Sequence, residues 1–270
     1  MMQGGAGVPI RPAAMAGRFY AAEAARLAAD VRHYLAGASA AGGPRPKAVL
    51  VPHAGLVYSG PVAAAAYARL RDEAAGVRRV VLIGPSHHVA LYGVAVPSVS
   101  GFATPLGVVA LDAEGREAVL RDPAVAIDDR AHQLEHSLEV QLPFLQVVLP
   151  QAALLPLVAG DAPPETVARI LERVWGGPET LLVVSTDLSH FLDYAAAQQA
   201  DARTCRHIGA LEPCLGGEEA CGCIGLNGFL LAARRHGLIA EQLDLRNSGD
   251  TSGDRSRVVG YAAFAFHEPR

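Results

Sequence analysis

The segment Lys47–Gly60, which reads KAVLVPHAGLVYSG, decides how the rest of the chain is interpreted. Four apolar residues from Ala48 to Val51 predict a buried strand, and Pro52 ends it. His53 follows at once, in a turn that contains Gly55. The segment therefore predicts a strand over 48–52 that carries a histidine at its carboxyl end.

The segment Arg79–His88, RVVLIGPSHH, repeats this arrangement. Its apolar run predicts a strand over 79–83, and His87 and His88 stand just beyond the break at Gly84 and Pro85. Two later runs, 153–158 and 180–185, are equally short and apolar, and polar residues follow both of them. These strand-end residues are Ser86, His87, His88, Asp161, Asp187 and His190.

The four apolar runs alternate with segments of helical periodicity. Strands that are apolar on both faces are typical of a mostly parallel central sheet flanked by helices. We expect a single α/β domain over residues 1–270, with residues 1–11 as a flexible arm. Helices are predicted at 22–35, 61–74, 113–120, 132–149, 193–211 and 222–235, and another runs from Pro163 or Pro164 to about 175. Two last strands are predicted at 240–245 and 257–266.

Ligands of open parallel sheets bind outside the carboxyl ends of the strands. Because the histidines and Asp187 follow such ends, they are expected at one edge of the sheet. Two or three imidazoles with one anionic ligand suit iron, zinc or copper. A single histidine at a strand end is more often a hydrogen-bonded structural residue, so the pair His53 and His87 carries the hypothesis, and His88 can face the other side.

The segment His132–Leu149 has helical spacing, with Pro143 as a kink. Glu135 and Glu139 are one turn apart and can face one cleft together with His136, although a solvated helix face is an equal alternative. His132 and His136 have the spacing of a zinc-protease helix. Gln133 stands where the glutamate of that motif belongs, which argues against a protease of that class.

Composition limits the classes of function. The chain has 270 residues, of which 51% are hydrophobic and 19% charged, and this composition is typical of a compact globular protein. Its net charge of −4 gives no basic surface for nucleic acid or anionic membranes. The N-terminal residues lack the pattern of a secretory signal, so a cytoplasmic location is expected. No nucleophile elbow or phosphate-binding glycine loop is found in the sequence.

All four cysteines lie between Cys205 and Cys223, which is a poor disulfide framework and contains no Cys-x-x-Cys pair. Cys221 precedes the predicted helix at 222–235, and a helix N-terminus favours a thiolate. Cys221 is therefore a candidate soft ligand or redox thiol. The alternative for a cysteine is a small buried hydrophobe, which we prefer for Cys205 and Cys214.

Several motifs occur in the order found in a known family. They include Ala16-Gly17-Arg18-Phe19-Tyr20, Pro52-His53-Ala54-Gly55, Tyr58-Ser59-Gly60, Gly84-Pro85-Ser86-His87, Glu135-His136-Ser137, Ser185-Thr186-Asp187-Leu188-Ser189-His190 and Cys221-Gly222. On these motifs the chain resembles the MEMO1 family, called AmmeMemoRadiSam system protein B in prokaryotes.

This resemblance implies a fold similar to LigB-type class III extradiol dioxygenases. It also implies that His53, His87 and Cys221 bind a metal, with iron as the first expectation and copper or zinc as alternatives. His190 and Asp187 become candidates for acid–base catalysis, Asp187 orienting His190, while Tyr58, His88, Glu135 and His136 would line the pocket. A thiolate in place of the glutamate of true extradiol enzymes weighs against catechol ring cleavage, and Cys223 is an additional thiol nearby.

Three functions remain open from the sequence. The first is an iron-dependent redox enzyme that acts on a small molecule. The second is a non-catalytic metal-binding or interaction protein with a vestigial site, working with AMMECR1-like and radical SAM partners, as the prokaryotic family name implies. The third is zinc-dependent hydrolysis at the same site.

Overall fold

The computed structural model describes residues 9–38, 43–71 and 76–269. Residues 1–8 of the predicted flexible arm lie outside these ranges. The arm prediction was wrong for its last two residues, because Ile10–Arg11 form strand β1 and Arg11 is buried. The ion pair that buries Arg11, with Glu139, joins residues too far apart in sequence for a local pattern to reveal.

The described residues form two sheets. The large sheet contains β2 (Ala48–Val51), β3 (Arg79–Pro85), β4 (Val94–Val96), β7 (Val125–Ile127), β8 (Ala153–Ala159), β9 (Thr180–Ser185), β10 (His190–Leu192), β11 (Ile239–Asn247) and β12 (Val258–His267). The order along it is β10-β12-β2-β9-β3-β8-β4-β7, and β11 also pairs with β12. The small sheet joins β1 to β5 (Gly101–Thr104) and β6 (Gly107–Ala110).

The prediction of a mostly parallel central sheet is confirmed. The four strands built from the apolar runs, β2, β9, β3 and β8, are neighbours and mutually parallel. The strands outside them include antiparallel pairs, with β12 against β2 and β4 against β8. The fold is a single mixed α/β domain whose central sheet is flanked by helices, as expected.

Ten helices are present in the described part of the chain. They are α1 (Ala24–Gly37), α2 (Leu56–Ala68), α3 (Ala113–Val119), α4 (Asp129–Gln133), α5 (His136–Glu139), α6 (Leu142–Val148), α7 (Pro164–Glu172), α8 (Tyr194–Gly209), α9 (Cys223–Arg235) and α10 (Ser248–Ser252). One face of the central strands packs into a core with α7 and α9. The other face packs into a core with α1, α2 and α6. Alternate residues of each strand enter opposite cores, which explains why these strands are apolar on both faces.

The predicted helix over 132–149 is wrong. The chain instead forms α4, α5 and α6 in succession, because Glu135 adopts an extended conformation and its side chain accepts a hydrogen bond from the backbone N–H of Ser137. Pro143 lies in the first turn of α6, where a proline is tolerated. The break places the Glu135 carboxylate at the N-terminus of α5, where it also reaches His87, just beyond the carboxyl end of β3.

One smaller difference affects the surroundings of the site. Helix α2 begins at Leu56, five residues earlier than predicted, so it starts immediately after the loop of His53. Residues 72–75, at the predicted end of that helix, lie outside the described part.

No helix in the described ranges combines the length and apolar character needed to cross a membrane.

Candidate metal centre

Three imidazoles meet at the carboxyl edge of the central sheet. His53 follows β2, His87 follows β3, and His136 is the first residue of α5. One ring nitrogen from each lies within 4.8 Å of the corresponding nitrogens of the other two. The ring centroids of His53 and His87 are 5.2 Å apart, and those of His87 and His136 are 4.4 Å apart. The strand-end rule thus brought His53 and His87 together as predicted.

His53 is buried and its ring is oriented by hydrogen bonds. Its Nδ1 atom lies 2.9 Å from Oγ of Ser185, the last residue of β9. The Ser185 hydroxyl donates its proton to the carbonyl of Ser137 at 2.6 Å, and Ser185 Oγ also accepts a hydrogen bond from the side-chain amide of Gln141. Because the only hydroxyl proton of Ser185 is used, Nδ1 of His53 must be the donor to Ser185. Nε2 of His53 therefore carries a free lone pair.

Gln141 itself can adopt only one orientation. Its amide nitrogen also donates to the carbonyl of Pro52, and its oxygen accepts from the hydroxyl of Tyr67. The carbonyl of Pro52 requires a donor, so the amide group cannot be flipped. The chain of hydrogen bonds from Tyr67 through Gln141 and Ser185 fixes the tautomer of His53.

His87 is oriented in the same way by Glu135. The Nδ1 atom of His87 lies 2.8 Å from Oε1 of Glu135, and the backbone N–H of His87 donates to Oε2 at 2.7 Å. Burial opposes ionisation of Glu135, but the hydrogen bonds from His87 and Ser137 outweigh it and lower its pKa to about 2. An ionised Glu135 accepts a hydrogen bond from the Nδ1–H group of His87, so Nε2 of His87 is also free to bind a cation.

Cys221 approaches the histidine cluster from far along the chain. Its Sγ atom is 3.2 Å from Nε2 of His53 and 3.4 Å from the backbone nitrogen of Asp187. Gly222 permits this approach, because a Cβ atom there would lie 2.8 Å from the carbonyl oxygen of Ser185. Burial and the Asp187 carboxylate raise the pKa of the Cys221 thiol to about 12. Burial of this sulfur therefore opposes the thiolate form that the helix N-terminus is expected to favour.

The donor set fits a borderline soft metal ion. Two imidazoles present free Nε2 lone pairs, and the sulfur atom stands next to one of them. Burial, together with the neighbouring imidazoles of His136 and His87, lowers the pKa of His53, so its lone pair is available at neutral pH. His136 offers a further nitrogen, and burial lowers its pKa to about 4. Nitrogen and sulfur ligands of this kind suit iron, zinc or copper rather than magnesium or calcium.

Asp187 has partners other than the one expected. Its Oδ1 atom accepts the backbone N–H of His53 at 2.7 Å, and its backbone carbonyl accepts the N–H of Cys221 at 3.3 Å. Burial raises the pKa of Asp187 to about 7, against the hydrogen bonds from the backbone N–H groups of His53 and Ala54. Asp187 thus joins the His53 loop to the Cys221 loop, and within the described part of the chain its carboxylate forms no hydrogen bond with His190.

The remaining predicted residues surround this cluster. His190 begins β10, is half-buried and is near enough for its charge to influence the pKa of His53. Burial lowers the pKa of His190 itself. Tyr58 is exposed on the first turn of α2, and the exposed ring of His88 lies 6.1 Å from the ring of His136.

A groove of about 400 Å³ opens beside Cys221. Its walls come from the segment after β3, the end of β8 and the start of α9, and most of its lining is apolar. The lining includes Ser86, Val89, Leu91, Asp161, Cys221 and Ile224. Asp161, predicted as a strand-end residue, therefore lies in the groove and outside the histidine cluster. Cys221 is the residue through which the groove borders the histidine cluster.

Two supporting residues were not assigned a role from the sequence. Ser185 ends an apolar strand with a hydroxyl, so the strand-end rule applies to it as it does to His53 and could have found it. Gln141 had no local sign, because its contacts with Pro52 and Ser185 depend on how the segment between α5 and α6 packs under the sheet edge.

The fold and the cluster define an α/β protein with a candidate metal centre at the carboxyl edge of its sheet, and sequence comparison gives the family. A family model described as Memo-like protein matches residues 11–265. A MEMO1 family protein of Aquifex aeolicus is 35% identical over 276 residues, which cover 95% of this chain and 99% of the relative. One from Methanothermobacter thermautotrophicus is 35% identical over 277 residues, covering 94% and 99%. The chain belongs to the MEMO1 family.

Proposed function

We propose that this protein binds iron through His53, His87 and Cys221 and acts as a non-haem iron-dependent oxidoreductase on a small molecule. The observation that carries the proposal is the shared orientation of the two imidazoles. Each donates its Nδ1 proton to a buried acceptor, and Nε2 of His53 faces the Cys221 sulfur at 3.2 Å. Histidines fixed in this way by neighbouring acceptors are typical of metal ligands.

Bound iron would supply open coordination positions for a substrate and O₂, together with a reversible one-electron couple. The groove beside Cys221 supports binding of a mostly apolar small molecule next to those positions. His136 and His190 have lowered pKa values because they are buried, so both are neutral at pH 7. A neutral imidazole can accept a proton from the substrate, and this is the role proposed for both residues.

The site supports two candidates for the third ligand. Cys221 is favoured by its contact with His53 and by the family resemblance, whereas His136 is favoured by its nitrogen within 4.8 Å of those of His53 and His87. We choose Cys221 because His136 has a second role available as a proton acceptor. Substitution of each residue separately distinguishes the two assignments.

The test is reconstitution without oxygen. The protein, freed of metal by a chelator, is titrated with Fe(II), and oxygen uptake is then followed with a panel of catechols and other small phenols. We expect one tight site and oxygen uptake that depends on at least one substrate. His33→Ala, which removes an exposed histidine of α1, serves as the matched control.

Other outcomes would replace the proposal. Iron binding without turnover of any substrate would favour a metal-binding protein that works with partners such as AMMECR1-like and radical SAM proteins. Peptidase or amidase activity restored by Zn(II) and not by Fe(II) would favour a hydrolase.

A further inference from the structure

The segment Arg11–Tyr20 packs against the candidate metal centre although none of its residues is a candidate ligand. It contains the motif Ala16-Gly17-Arg18-Phe19-Tyr20, to which the proposed chemistry gives no role. Its contacts reach both sides of the histidine cluster, which are the loop of His53 and the segment that carries Glu135 and His136.

Arg11 attaches this segment to the residues that orient His87. Its guanidinium donates to the carbonyl of His132 at 2.5 Å and to the carbonyl of Glu135 at 3.0 Å. It also forms an ion pair with the carboxylate of Glu139 at 2.5 Å, and both side chains are almost completely buried. The backbone of Glu135 is thus held from one side while its carboxylate holds His87 on the other.

Glu139 is the anchor of the segment. Its carboxylate accepts hydrogen bonds from the backbone N–H groups of Ala14 at 3.0 Å and Met15 at 2.8 Å, and from the hydroxyl of Tyr20. With Arg11, all four donors to this buried charge come from residues 11–20. A buried carboxylate is strongly destabilising unless it is paired and hydrogen-bonded, so Glu139 requires the segment to stay in place.

Phe19 contacts both sides of the cluster. Its ring centroid is 4.8 Å from that of His136, and its carbonyl accepts the backbone N–H of Leu56 at 2.8 Å. Leu56 begins α2, three residues after His53. The ring of His136 therefore has Phe19 near it on one side and the ring of His87, at 4.4 Å, on another. Phe19 restricts rotation of the His136 ring away from the other imidazoles.

We propose that the segment Arg11–Tyr20 is a positioning element for the metal centre. Phe19 sets the ring of His136, which packs at 4.4 Å against the ring of the ligand His87, and Arg11 sets Glu135 and, through it, His87. This inference rests on the proposed function, because the centre it positions is the proposed iron site. Residues that orient ligands contribute to metal affinity without touching the metal.

The experiment uses Co(II) as a spectroscopic probe of the full-length protein, without oxygen. Phe19→Ala is expected to weaken Co(II) binding by about tenfold or more and to shift the visible absorption bands. Phe19→Tyr keeps the ring and should bind within about threefold of the unsubstituted protein. Tyr194→Leu is the control. It removes a half-buried ring at the start of α8 that contacts Asp250 and Arg255, and it should leave the Co(II) affinity and the spectrum unchanged.

A second measurement follows amide hydrogen exchange in Arg11→Met. The backbone N–H groups of His87 and Ser137 both donate to Glu135, so they report directly on the position of its carboxylate. We expect these two amides to exchange about tenfold faster, while the amides of β9 remain as protected as before.

The outcomes separate this inference from the proposed function. If the unsubstituted protein binds no Co(II), both are overturned. If the unsubstituted protein binds Co(II) and Phe19→Ala has the same affinity and spectrum, the positioning role is overturned and the proposed function stands. Easier unfolding of Phe19→Ala would not change that conclusion. If Arg11→Met does not fold, Phe19→Ala decides alone, because its ring is only half-buried.

Discussion

The Oγ atom of Ser185 lies 2.9 Å from Nδ1 of His53 and accepts a hydrogen bond from the imidazole N–H, because the Ser185 hydroxyl itself donates to the carbonyl of Ser137. Ser185→Ala removes this acceptor and allows the His53 ring to change tautomer. We expect metal affinity to fall about 10- to 100-fold, and the free energy of unfolding to fall by about 1–3 kcal/mol because buried partners lose a hydrogen bond.

Titration with Fe(II) or Co(II) and urea unfolding measure these two effects of Ser185→Ala. Thr180→Val is the matched control, since Thr180 is also buried but lies at the opposite end of the same strand. An unchanged affinity in Ser185→Ala would mean that this hydroxyl does not orient a ligand.

Glu135 receives three hydrogen bonds, from Nδ1 and the backbone N–H of His87 and from the backbone N–H of Ser137. Glu135→Gln keeps the shape of the side chain but turns an amide NH₂ group toward at least one of these donors. We expect metal affinity to decrease about 10- to 100-fold. Glu165→Gln, at an exposed position of α7, is the control in the same titration. Equal affinities for the two variants would contradict the role assigned to Glu135.

Metal binding is expected to release a proton. Burial raises the pKa of Cys221 to about 12, so the thiol is protonated at pH 7 and must lose its proton to bind as a thiolate. Burial lowers the pKa of His136 to about 4, so a third ligand at His136 would release none. Calorimetry in two buffers of different ionisation enthalpy should give about one proton per metal ion at pH 7. A value near zero would favour His136 over Cys221.

Asp122 gives the fold an acid-sensitive contact away from the site. Hydrogen bonds from Arg169 and Arg173 lower its pKa to about 2, below its unfolded value near 4. Because the folded pKa is the lower one, this stabilisation is complete above about pH 4 and is lost as the pH falls toward 2.

The measurement is urea unfolding of the protein and of Asp122→Asn at pH 7 and near pH 3. The difference in unfolding free energy between the two proteins should shrink at the lower pH by on the order of 1 kcal/mol, since solvent partly screens the half-exposed Arg169. A difference that does not depend on pH would refute the assignment.

The sequence predicted the parts of this protein that follow from local periodicity. The runs around Leu50, Ile83 and Val183 became neighbouring parallel strands, and the residues just beyond them met at one edge because parallel strands place their carboxyl ends together. Periodicity failed between 132 and 149: this segment has apolar residues at helical spacing, yet one of them, Leu134, is 54% exposed. The contact of Glu135 with His87 determines that backbone, and it joins residues distant in sequence.

The supporting residues of the site depend on such distant contacts. Arg11 pairs with Glu139 across 128 positions and Gln141 reaches Pro52 across 89. No spacing rule links these residues, so the chain of acceptors behind the histidines is visible only once the fold is formed. The contact of Cys221 with His53 spans 168 positions, and the family resemblance supplied it before the fold did.

The measurement that tests the account most directly is the metal content of protein purified without oxygen and reconstituted with Fe(II), compared among His53→Ala, His87→Ala and the control His33→Ala. The account predicts about one iron per chain for the control and almost none for the other two, with unchanged circular dichroism for all three. Iron at the stoichiometry of the unsubstituted protein in both His53→Ala and His87→Ala would contradict it.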